Sequence, residues 1–125
     1  MSISYTPELT ASMSVKNLDQ SIAWYEKVLN FSLLFRADEI GYCELATRVP
    51  GVSIGLCQNE EVSAGGNATN VWGVSDIHEA KAHLDSHGVR QDGGIQEVPE
   101  MVKLLTFYDP DGNTMMFAES LAGQG

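Results

Sequence analysis

At 125 residues, with 43% hydrophobic side chains and a formal net charge of -10, the chain is long enough to bury a real interior and too apolar to be disordered. The charge argues against nucleic acid or an anionic membrane as partner, since both would repel it, and suits a neutral or cationic ligand better. No apolar run spans a bilayer, and Met1-Ser2-Ile3-Ser4-Tyr5 lacks the basic start and apolar core of a signal peptide, so a cytoplasmic location is expected.

Residues 1 to 8 read as a loosely held lead-in. From Leu9 to Val15, Ala11, Met13 and Val15 alternate with Thr10, Ser12 and Ser14, which predicts a strand with one apolar and one small polar face. Leu18, Ile22, Tyr25 and Leu29 then stack as one stripe of a helix over about Asp19 to Leu29. Asn17 or Asp19 can cap its start, and Asn30 can take the left-handed conformation that ends it. Three strands follow, Phe31 to Phe35, Ile40 to Ala46 and Val52 to Cys57, separated by turns at Arg36-Ala37-Asp38-Glu39 and Arg48-Val49-Pro50-Gly51.

Gln58 to Ala68, with its Asn, Glu, Ser and Gly-Gly, reads as a linker. Thr69 to Val74 is the next strand. A helix over about Ile77 to His87 comes after it, capped by Ser75 or Asp76 and stopped by Gly88. Ile95 to Val98, Val102 to Tyr108 and Thr114 to Ala118 are the last strands, and 120 to 125 a frayed tail.

Two echoes organise this list. Pro50-Gly51-Val52-Ser53-Ile54-Gly55-Leu56 follows the plan of Asp111-Gly112-Asn113-Thr114-Met115-Met116-Phe117, a turn glycine and then apolar residues at alternate positions. Thr10-Ala11-Ser12-Met13-Ser14-Val15 likewise matches Thr69-Asn70-Val71-Trp72-Gly73-Val74. The chain is one module used twice. The expectation is an α+β fold of two tandem βαβββ modules forming a curved mixed sheet, with one helix per module on its outer side. It forms a single domain, with module 1 over about 9–58, the linker over about 58–68 and module 2 over about 69–119.

Val15-Lys16-Asn17-Leu18-Asp19-Gln20-Ser21 leading to Trp24-Tyr25 and Val28-Leu29-Asn30-Phe31, the doubled plan, and the Asp109-Pro110-Asp111-Gly112-Asn113 turn together resemble the vicinal oxygen chelate superfamily. That group includes glyoxalase I, bleomycin-resistance proteins, fosfomycin-resistance enzymes and extradiol dioxygenases, so fold does not select activity. In its metal-dependent members the resemblance implies a divalent cation held by four strand residues, usually His, Gln or Glu. One stands five residues before the valine that ends each first strand, here Thr10 and Thr69, and one four residues after each turn glycine, here Gly55 and Met116. A glycine offers no side chain, a thioether is soft and a neutral hydroxyl binds weakly, so no metal and no cofactor is expected.

The remaining reactive side chains have plain structural readings. His78, His83 and His87 lie on the second helix as a solvated face, although His83 and His87 are four apart and could share a surface metal. Glu44, with Tyr42 on the same side, is the one weak catalytic candidate as a general acid or base. A place at the sheet edge in water, paired with Arg36 or Lys103, is the simpler expectation. Cys43 and Cys57 read as buried thiols, and Trp24 and Trp72 as core.

What is left is a small, mildly polar lining expected on the concave face, with Thr10, Ser12, Ser53, Gly55, Cys57, Thr69, Val71 and Met116 as ligand-binding residues. The function this supports is a metal-free protein sequestering a small neutral or cationic molecule. The resemblance implies a homodimer. The alternatives are a divergent lyase, isomerase or dioxygenase, and a structural or regulatory domain without ligand.

Overall fold

The computed structural model describes residues 4–62 and 68–121. The expected linker is thus described only in part. The chain divides after Val62 into two compact units. The first runs β1 (Leu9–Val15), α1 (Leu18–Val28), β2 (Ser32–Ala37), β3 (Tyr42–Ala46) and β4 (Val52–Gln58). The second runs β5 (Asn70–Gly73), α2 (Ile77–Ser86), β6 (Gln91–Val98), β7 (Val102–Tyr108) and β8 (Thr114–Ser120). Each unit is the expected βαβββ module and builds its own four-stranded sheet, in the order β1-β4-β3-β2 or β5-β8-β7-β6. First and last strands pair in parallel and the other neighbours antiparallel. Among the described residues no helix is long and apolar enough to cross a membrane.

Period-two alternation decides which side of each sheet its helix covers. In the first unit Val15, Cys43, Leu45, Ile54 and Leu56 are fully buried and meet Leu18, Ile22, Tyr25 and Val28 of α1. In the second, Leu105, Phe107, Met115 and Phe117 form the covered face, with Ile77 and Leu84 from α2, and the Phe107 and Phe117 ring centroids lie 4.6 Å apart. Each such aliphatic or aromatic side chain contributes about 1.5–3 kcal/mol on burial. The exposed Lys81–Asp85 pair at 3.2 Å belongs to a class worth about 0–1 kcal/mol. Packing on the helix side holds each module together.

The helix starts are tied down twice. Asn17 accepts the Gln20 N–H at 2.9 Å, and Asp76 accepts those of His78 and Glu79, both at 3.1 Å. In addition the end of each last strand reaches back to the first helical residue. Gln58 Oε1 accepts Leu18 N–H at 2.8 Å and Glu119 Oε1 accepts Ile77 N–H at 2.7 Å, each meeting a donor that the helix itself leaves unmet. Gln58 stands seven residues after Gly51 and Glu119 seven after Gly112, so the repeat extends to these caps. Asn30 ends α1 with φ 62°, and the Phe31 N–H closes back on the Tyr25 carbonyl at 3.2 Å.

Several boundaries differ from the sequence expectation. Asp38–Ile40 form a 3-10 turn, and β3 begins only at Tyr42, because Gly41 takes φ 65°. β2 reaches Ala37, through residues assigned to a turn, with a bulge between Leu33 and Phe35 that makes Leu34 the extra residue. β6 starts at Gln91, ahead of the polar glycine pair that disguised it. Ser120 belongs to β8 and the Leu121 N–H donates to the Met101 carbonyl at 2.8 Å, so the expected tail is paired that far.

The second hairpin turn is anchored by a carboxylate. Asp109, 4% exposed, accepts the N–H groups of Asp111 and Asn113 at 2.9 and 2.8 Å on Oδ1 and the Asn113 side-chain amide at 2.8 Å on Oδ2. Gly112 sits at φ 85°, which only glycine adopts cheaply. Replacing Asp109 by Ala strands three donors, and hydrogen bonds to a charged group are worth about 1.5–3 kcal/mol each. Urea unfolding of Asp109→Ala is expected to show a stability lower by about 2–3 kcal/mol, less than the summed bonds because water reaches the turn.

Candidate functional site

The faces that α1 and α2 leave open carry the residues singled out in the sequence. In the first unit the register sets Thr10 beside Ser53 and Ser12 beside Gly55 across β1–β4, and Gly55 beside Glu44 and Cys57 beside Tyr42 across β3–β4. Thr10, Ser12, Ser53, Gly55 and Cys57 are therefore brought together on one face with Tyr42 and Glu44. The Thr10 and Ser53 hydroxyls lie 3.0 Å apart, either able to donate. The bulge turns Phe35 onto this same face, opposite Glu44, with its ring centroid 6.1 Å from that of Tyr42. In the second unit Val71 and Met116 are Cα partners across β5–β8, and Thr69 immediately precedes β5.

Gly55 is the centre of the first face. A Cβ built there would overlap the Tyr42 hydroxyl and stand 2.9 Å from Cε1 and 3.0 Å from Cζ of the same ring. The phenol thus lies in the volume a side chain at position 55 would need, and only glycine leaves room for it. From there Tyr42 donates to Glu44 Oε2 at 2.8 Å. Burial first, then the hydrogen bond to Glu44, pushes the Tyr42 phenol up to about 12.

This geometry corrects the expected setting of Glu44. β3 is an interior strand, so Glu44 is half-buried between neighbours, not at an edge in water. Its partner is Tyr42, and neither basic residue proposed for it pairs with it. Arg36 lies on the other face of β2, bonded to Asp19 at 2.6 Å and Asp38 at 2.8 Å, and the bond to Asp19 and then that to Asp38 raise its already high pKa. Lys103 Nζ lies 3.2 Å from His78 Nε2 in the second unit. Cys43 is buried, which pushes its thiol up, whereas Cys57 is only half-buried on the open face. Trp24 and Trp72 are half-buried, not core.

The second unit has a polar group that sequence reasoning missed. Tyr108 donates to Asp92 Oδ2 at 3.0 Å, and the Arg90 guanidinium carbon sits 4.2 Å from the centroid of the Tyr108 ring. The bond to Asp92, then burial, raises the Tyr108 phenol. Tyr108 and Thr106 pair with Thr114 and Met116 across β7–β8, which places them on the open side. The only advance signal was the alternation of Leu104, Thr106 and Tyr108. Asp92 comes into reach through an irregularity of β6 next to Gly93 at φ 72°.

The side chains at the four positions that the resemblance implies for a cation do not suit one. Thr10 is engaged with Ser53, the space at Gly55 is filled by a phenol, Thr69 offers a neutral hydroxyl and Met116 a thioether. His83 and His87, with ring centroids 4.6 Å apart, are exposed near the end of α2. Among the described residues no group of three His, Cys, Asp or Glu side chains is placed to hold an ion.

A family model described as the Glyoxalase/Bleomycin resistance protein/Dioxygenase superfamily matches residues 9–117. The chain belongs to this superfamily. Solved structures agree on the fold. A member of the superfamily from Sphaerobacter thermophilus is 21% identical with a TM-score of 0.78, covering 94% of this chain and 98% of that one. TnmS3, described as an antibiotic binding protein from a Streptomyces species, is 22% identical with a TM-score of 0.76 over 96% and 98% of the two chains. The fosfomycin resistance protein FosX from Listeria monocytogenes, complexed with Mn(II) and sulfate, is 14% identical with a TM-score of 0.77 over 95% and 92%. No curated protein matches the sequence.

The Tyr42 phenol has a consequence for stability at high pH. Its folded pKa is near 12 against an ordinary 10.0, so between these values the unfolded chain loses a proton that the folded chain keeps. Stability is present in full below the ordinary value and falls as pH rises through that window. Denaturation between pH 9 and 12 is expected to show this fall, and Tyr42→Phe is expected to make it shallower, leaving the parts due to Tyr108 and to the buried Cys43 thiol.

Proposed function

We propose that this chain is a metal-free small-molecule binding protein of the glyoxalase and bleomycin-resistance type, one that sequesters a small neutral or cationic ligand against the open faces of its sheets and changes no bond. The observation that carries this reading is the Gly55–Tyr42 arrangement. A position where metal-dependent relatives place a ligand side chain is not merely lacking one, because its volume has been given to a phenol. Small hydroxyls at Thr10, Ser12 and Ser53, with Cys57, line the open face of the first sheet, and Thr69, Val71 and Met116 belong to that of the second, each face offering shape and weak polar contacts. A structural neighbour described as an antibiotic binding protein supports a role in binding.

The net charge of -10 favours a cation over an anion. In this reading the two modules act as one domain, in the cytoplasm and as a homodimer. Phe35, 47% exposed on the edge strand β2, supplies apolar surface for a second copy.

Metal analysis of freshly purified protein is expected to find Ni, Zn, Fe and Mn well below one per chain. A library of glutathione thioesters, catechols and cationic glycopeptides is expected to contain compounds that raise the melting temperature, since a ligand preferring the native state must do so. A stoichiometric metal would replace this reading with the enzyme. A library without a single shift would leave a structural or regulatory domain.

A further inference from the structure

The open face of the first sheet contains a cavity of about 450 Å³ at its β3–β4 turn end, within the size range of small-molecule sites. Its walls include Leu9, Leu34, Val49 and Pro50, together with the carboxylates of Glu8 and Glu44. No Lys or Arg is among the described residues lining it. Glu8 is exposed and takes a hydrogen bond from Thr6 at 3.2 Å.

Glu44 is different. It is half-buried, and among the described residues its hydrogen-bond partner is the neutral Tyr42, whose ring rests in the space over Gly55. A partly desolvated carboxylate without a cation beside it leaves a counter-charge to be supplied. The phenol holds that carboxylate in one orientation, and apolar walls flank it.

We infer that this cavity takes a small organic cation, an amine carrying an apolar body, with Glu44 as the group that receives the ammonium and Tyr42 as its positioning residue. The inference rests on the binding reading above and narrows it. An ammonium donates to Glu44 while its apolar body covers Leu34 and Val49. A carboxylate or phosphate in the same place would face two like charges, and a neutral alcohol would keep the apolar contact and a hydrogen bond but bring no counter-charge. The role of Gly55 follows as well. Any side chain there would evict Tyr42 and with it the orientation of Glu44, so the feature that disfavours a metal is the one that builds the amine site.

Calorimetric titration of the whole chain with 2-phenylethylamine, 2-phenylethanol and 3-phenylpropanoate tests this. The amine is expected to bind about tenfold more tightly than the alcohol, as a positive charge added to the donor of one hydrogen bond to a carboxylate allows, and the acid more weakly than either. Glu44→Gln is expected to erase the difference between amine and alcohol, weakening the amine far more than the alcohol, whose O–H can still donate to the amide oxygen. Tyr42→Phe is expected to narrow that difference without abolishing it. Thermal melts of both variants establish that they fold.

Equal binding of amine and alcohol by the unaltered chain would overturn the cation assignment and leave sequestration standing. Loss of both ligands in a folded Glu44→Gln would assign Glu44 a structural role and also overturn it. Failure of all three probes would remove this cavity as the site, and the compound library then decides separately whether the protein binds anything.

Discussion

Each module depends on one pairing, that of its first strand with its last in parallel. Parallel neighbours cannot be joined by a tight turn, so the intervening chain must cross over, and here the crossover contains the helix and two more strands. The end of the last strand then closes the unit, as Gln58 or Glu119 accepts the first helical N–H. Strand pairing and helix start are therefore coupled: the cap forms only when the last strand is in register, and that register sets every side chain's face.

With register set, the two faces have opposite fates. The helix-covered face takes the large apolar residues. The open face of the first sheet carries threonine, serine and glycine with Cys57, Phe35 and the longer polar side chains of β3, and that of the second carries Val71, Met116, Thr106 and Tyr108. On the first sheet this produces a division of volume. Gly55 gives up its side-chain space and Tyr42 takes it, carrying a hydrogen bond to Glu44. The superfamily fold is kept and the space over Gly55 is filled by an aromatic ring; one scaffold can carry unrelated activities by such local differences.

The charge distribution follows the same logic. Arg36, close in sequence to the open-face residues, is drawn to the other side by Asp19 and Asp38. Lys103 meets His78, and Lys81 meets Asp85. Glu44 is left with a neutral phenol for company. In the proposed amine site that carboxylate supplies the counter-charge.

Much of the architecture was legible in the residue order, because it rests on local rules. Alternation along Leu9–Val15, the Leu18–Ile22–Tyr25 stripe, Asn17 and Asp76 as caps, Asn30 and Gly88 as stops and the two glycine turns each act over a few residues, and their repetition disclosed the doubled module. The four positions that the resemblance implies for a cation could likewise be located from the turn glycines and strand-ending valines. What residue order could not reveal were contacts between strands far apart in sequence. That β3 is interior, that a bulge at Leu34 carries Phe35 to the open face, and that Tyr42 fills the space over Gly55 all follow from cross-strand register. The sequence by itself determined a repeated module without metal-binding side chains at the expected places. Only the tertiary structure decided what stands there instead, because a glycine's empty volume belongs to whichever neighbour the sheet brings beside it.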